Sequence, residues 1–197
     1  APDGGLTETD CNDGTDVSGQ CTATINSSVA GVFMAMARSV IMVNGVEFKL
    51  QTNGSGDNSG PATKTYVDAS IALDPLEASN KINDEHTITA TVTQDDGSGV
   101  APAVGVTVTF SVTTGTATYV GADNCVTAGL GQCSVDINSS TTGANTIDAT
   151  TTFLVGGVSL TRATDGDFGP DGTGSAAKTY VNAKISITPD EATNEVD

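Results

Sequence analysis

The sequence predicts an all-β protein built from antiparallel β-sandwiches in tandem. Three observations predict it: apolar residues that alternate with threonine, Gly-rich turns at short intervals, and a block of sequence that recurs about 114 residues later. Composition agrees, because Thr, Val, Ala and Gly are abundant while Leu, Glu and Lys are scarce, which disfavours helices and suits exposed sheet. The 197 residues carry 24 acidic and 7 basic side chains, for a net charge of -17. Such a surface repels phosphate backbones and anionic lipid, so no nucleic acid is expected as a partner. The longest apolar stretch, Val29 to Ala37, is interrupted at Arg38 and is too short to span a bilayer, so no transmembrane segment is expected in this chain.

The repeat sets the organisation. Lys64 to Asn83 reads KTYVDASIALDPLEASNKIN, and Lys178 to Asp197 reads KTYVNAKISITPDEATNEVD, with 10 of 20 positions identical. QCTATINSS, ending at Ser28, likewise matches QCSVDINSS, ending at Ser140. The period of about 114 residues is too long for a solenoid coil and is the size of one sandwich domain. The expected units are residues 1–68, the C-terminal part of one module; 69–182, a complete module; and 183–197, the first strand of the next. The opening APDGG has no basic and apolar leader and reads as mature or excised material. If the molecule ended here, another chain would have to complete the sheet by strand addition; the preferred reading is an excerpt from a longer protein.

Within 69–182 the strands follow in order. HTITATVTQ places His86, Ile88, Ala90 and Val92 on one face and threonines on the other. After an Asp-Asp-Gly-Ser-Gly turn, VGVTVTFSV places Val104, Val106, Val108, Phe110 and Val112 inward. Further strands are expected at Cys133 to Ile137, Thr146 to Val155 and Val158 to Arg162. Gly156-Gly157 and its equivalent Asn44-Gly45 are two-residue hairpin turns, which need positive φ at both positions. VFMAMARSVIMV, residues 32 to 43, has a helical alternative, but its repeat equivalent ANTIDATTTFLV is rich in β-branched residues, so both are read as strands.

The order TITATV, an Asp-Gly turn, VTVTFSV, a small-residue turn, QCSVDINSSTTGANTIDATTTF and AAKTYV resembles the bacterial immunoglobulin-like repeat of the invasin and intimin type. The resemblance covers residues 69 to 182 and both part-modules. It implies an immunoglobulin-like sandwich, no catalytic residue, and a place in the rigid shaft of an extracellular or cell-surface adhesin. Two features depart from the pattern: the cysteine pair, and a Gly-rich insertion from Asp165 to Gly174.

Four cysteines form two local pairs, Cys11 with Cys21 and Cys125 with Cys133, read as disulfides of an oxidising compartment rather than a metal site, since the chain holds one histidine. Each closes a short loop and stabilises the fold by roughly 2 to 3 kcal/mol. A redox-active pair would need CxxC spacing and a nearby cation. DGDFGPDG offers Asp165, Asp167 and Asp171 as hard ligands for calcium, against the reading of solvated turn acids. Asn26, Asn53 and Asn138 have glycosylation spacing, which chance also produces in a Ser/Thr-rich chain. His86 reads as a packed or rim residue. Met34, Met36, Arg38, Val40 and Met42 occupy positions that the complete module fills with Thr146, Asp148, Thr150, Thr152 and Leu154. This apolar stripe reads either as a contact with another module or chain, or as a face covered by its own loop.

The expected function is a non-enzymatic shaft or filament whose partners are neighbouring modules or identical chains in a fibre. The alternatives are a calcium-dependent module that binds glycan or a host protein, a hydrolase accessory domain, and a surface-layer lattice protein.

Overall fold

The computed structural model describes residues 5–188 and 190–195. In chain order the strands are β1 (Gly5–Thr9), β2 (Ala23–Asn26), β3 (Gly31–Ala35), β4 (Arg38–Val43), β5 (Val46–Gln51), β6 (Ala62–Tyr66), β7 (Asp68–Asp74), β8 (Glu77–Lys81) and β9 (His86–Asp95). They continue with β10 (Val100–Pro102), β11 (Thr107–Thr114), β12 (Thr118–Tyr119), β13 (Asn124–Val126), β14 (Gln132–Asn138), β15 (Gly143–Val155), β16 (Val158–Ala163) and β17 (Ala176–Val181). A single 3-10 turn, Cys11–Asp13, is the one helical element among the described residues.

From β7 onward two sheets face each other. One runs β10-β9-β14-β12, with β7 on the other edge of β9; the second runs β13-β11-β15-β17-β8, with β16 also on β15. The alternation read from the sequence fills the space between them. Ile71, Ile88, Val92, Val108, Phe110, Ile137 and Ile147 are buried, and Tyr180 closes one end by donating its hydroxyl to the Ile137 carbonyl at 2.9 Å. This is an immunoglobulin-like sandwich core, stabilised by apolar area removed from water. Every buried apolar residue lies between Ala69 and Tyr180.

Residues 5–67 form three two-stranded sheets, β1-β2, β3-β6 and β4-β5. Their pairing matches that of the later strands. Gly31 faces Tyr66 as Gly143 faces Tyr180, and Val43 faces Val46 as Val155 faces Val158. The Tyr66 hydroxyl donates to the Ile25 carbonyl, as Tyr180 does to Ile137. Both hairpin turns have positive φ at their two central residues, Asn44-Gly45 and Gly156-Gly157. What differs is cover: β4 and β5 are exposed along their whole length.

Three expectations change. Val104 is exposed and precedes β11, because Gly105 at φ 80° breaks the extended chain before the strand begins. The expected outward residue Asp148 is buried, with one oxygen accepting from the Thr113 hydroxyl at 2.9 Å. The stretch from 32 to 43 is extended but split at Met36-Ala37 into β3 and β4, where β15 runs through unbroken.

Candidate functional site at the junction

The first strand group ends with β6 at Tyr66 and the sandwich begins with β7 at Asp68, so Val67 alone separates them. A one-residue connection has little freedom to bend. Side-chain chemistry restricts it further. Arg162 on β16 reaches the connection with its guanidinium, donating from Nη2 to Asp68 Oδ1 at 2.5 Å and from Nε to the Ala69 carbonyl at 2.7 Å. Its Nη1 donates to Asp167 Oδ2 at 3.0 Å and to the Thr161 carbonyl at 2.9 Å. The Arg162 side chain is 12% exposed, so water screens these ion pairs less than it would at an open surface.

The Gly-rich insertion holds the other side. Ile71 N–H donates to the Phe168 carbonyl at 2.9 Å, Thr173 N–H to the Ile71 carbonyl at 3.1 Å, and Leu73 N–H to Thr173 Oγ1 at 2.7 Å. The loop thus satisfies the outer edge of β7, which would otherwise be an open template for pairing. Glycine is required for this approach: a Cβ at Gly169 would lie 2.0 Å from the Ala69 carbonyl oxygen. Opposite, Gly97 sits so close to the first strand group that a Cβ would fall 2.8 Å from Thr65 Cγ2. A cleft of ≈ 310 Å³ opens where Val29 and Ala30 meet Ala69 and Val100.

The sequence-predicted residues fall as follows. Cys11–Cys21 and Cys125–Cys133 are both disulfides. The second joins β13 in one sheet to β14 in the other, so it staples the sandwich across its layers rather than closing a hairpin. Asp165, Asp167 and Asp171 are exposed and are not gathered into a ligand set; Asp167 is held by Arg162 through one oxygen and accepts from Gly169 N–H through the other. The one acidic and thiol grouping among the described residues is Asp10 with Cys11 and Cys21, whose sulfurs are bonded to each other.

Asn26 and Asn53 are exposed. Asn138 is half-buried and its amide nitrogen donates to the Asn83 carbonyl at 3.3 Å, so the atom that would carry a glycan is engaged. Met34, Met36, Val40 and Met42 are all exposed. His86 is half-buried at the start of β9; burial pushes its imidazole below the ordinary range, Lys178 adds to this and Asp136 opposes it.

Two arrangements escaped the sequence reading. Arg162 and Asp68 are 94 residues apart, and nothing local pairs them. Lys178 is 1% exposed, and burial lowers its amine below the ordinary lysine range. Its alternation with Ala176 and Tyr180 was the available signal, since it places Lys178 on the inward face.

No helix among the described residues is long and apolar enough to cross a membrane. No protein-family model matches the chain, and no curated protein matches it. Among solved structures it is similar to the "D00-D0 domain of Intimin", with a TM-score of 0.47 and 18% identity, over 92% of this chain and 79% of that one.

Proposed function

We propose that this chain is a stretch of a non-enzymatic extracellular shaft, in which immunoglobulin-like sandwiches follow one another with a period of about 114 residues. On this reading 1–68 belongs to one module, 69–182 is a complete module and 183–197 opens the next. The observation that supports it is the junction: one residue of connection, clamped by the Arg162 guanidinium on Asp68 and the Ala69 carbonyl. A shaft transmits load only if its joints resist bending, and this joint has both a short tether and a side-chain lock. The inter-sheet disulfide and the acidic, Thr-rich exterior suit an oxidising, solvated setting. Electron microscopy of the native assembly tests the proposal. Straight rods with evenly spaced beads are expected; a flat lattice or a flexible string would overturn it.

A further inference from the structure

The complete sandwich shows what the first strand group is waiting for. There β17 has two neighbours, β15 and, in parallel, β8, with Lys178 beside Ala78 and Tyr180 beside Asn80. Its equivalent β6 pairs with β3 alone among the described residues. The apolar residues meant for cover are open too: Val43 is 48% exposed where its equivalent Val155 is 1% exposed.

The same chain carries the matching donor. Glu191-Ala192-Thr193-Asn194-Glu195 repeats the β8 sequence Glu77-Ala78-Ser79-Asn80-Lys81 at an offset of 114. Ile185 and Ile187 repeat Ile71 and Leu73, which are core residues 0% and 3% exposed, yet Ile185 and Ile187 are 96% and 79% exposed. The described residues of 183–195 form no strand.

We propose that residues 183–195 of one copy complete the first strand group of a second copy, pairing in parallel with β6 so that Ala192 lies beside Lys64 and Asn194 beside Tyr66. Strand addition supplies backbone hydrogen bonds to the open edge and places Ile185 and Ile187 over the uncovered apolar face. Asn194 then accepts from Lys64 as Asn80 accepts from Lys178, at 2.6 Å in the complete sandwich. Lys64 is already stationed over the Tyr66 ring, as Lys178 is over Tyr180. Donor and acceptor are different surfaces, so the contact is head-to-tail and does not close on itself; it builds linear chains.

This deepens the shaft reading by naming a partner, and it can fail while the joint remains stiff, because association and stiffness are separate readouts. The test is light scattering of the full 197-residue chain across a wide range of concentration. The average mass is expected to rise past that of a dimer. Deleting residues 182–197, or making Ile185→Asp with Ile187→Asp, is expected to leave a folded monomer, because these side chains pack against nothing within one copy. A peptide of residues 182–195 is expected to cap the acceptor and stop growth. A full chain that stays monomeric overturns the proposal. So does a dimer that survives loss of the tail, which would assign the apolar face to a symmetric contact, and so does a peptide that leaves growth unchanged.

Discussion

Lys178 on the last strand donates from Nζ to Oδ1 of Asn80 on the first parallel strand at 2.6 Å, inside the sandwich. Asn80 passes the connection on, donating to the Glu85 carbonyl at 3.2 Å. A buried ammonium held by a neutral amide is stabilised less than one held by a carboxylate, which is why burial lowers its proton affinity. Asn80→Ala strands that charge and should cost about 3 kcal/mol in urea unfolding.

The same amine sets a pH dependence. Its folded pKa is depressed, so the unfolded chain binds the proton more tightly, and the penalty is present at neutral pH and relieved as pH rises towards the unfolded value. Stability should therefore climb between about pH 8 and pH 9.5, and Lys178→Met should flatten that climb. Tyrosine acts higher and with the opposite sign: burial pushes Tyr119 up to about 12, so unfolding releases its proton and stability falls above pH 10. Denaturant titrations at several pH values separate the two.

Tyr180 and Tyr66 make the same bond in different surroundings. Tyr180→Phe leaves the Ile137 carbonyl without its donor inside the core and should lower global stability by about 1 kcal/mol. Tyr66→Phe should leave that main transition unchanged, because Ile25 and its neighbours belong to a group with no buried core. Thermal unfolding of the two variants checks this.

The disulfides should differ in the same way. Replacing Cys125 and Cys133 with alanine removes a link between the two sheets across 8 residues and should cost about 2 to 3 kcal/mol. Replacing Cys11 and Cys21 should spare the sandwich and loosen only the β1-β2 hairpin, read by hydrogen exchange.

Calcium should not change the melting curve of this chain. Asp167 already neutralises Arg162, and drawing it to a cation would free the guanidinium that holds the joint. A rise in melting temperature that a chelator reverses would show that Asp165, Asp167 and Asp171 do converge.

Much of this was legible beforehand. Alternation placed Ile88, Ala90 and Val92 in the core because a strand shows its two faces on successive residues, and the hairpin at Gly156-Gly157 followed from the positive φ those positions need. Asp148 was misread because period alone marks which side of a sheet a residue faces, not whether a loop covers that side. The disulfide between Cys125 and Cys133 looked like a hairpin staple because spacing does not reveal that its two strands belong to opposite sheets. Arg162 was invisible for a related reason: its partners are brought in by the return of β16 beside the start of β7.

The central claim is that the joint is stiff because Arg162 locks it. Small-angle scattering of the tail-truncated chain and of its Arg162→Ala variant tests this most directly. The parent should give a single narrow distribution of extended shapes, and the variant a broader one of smaller mean size, with the sandwich itself still folded. Equal breadth in both would contradict the account.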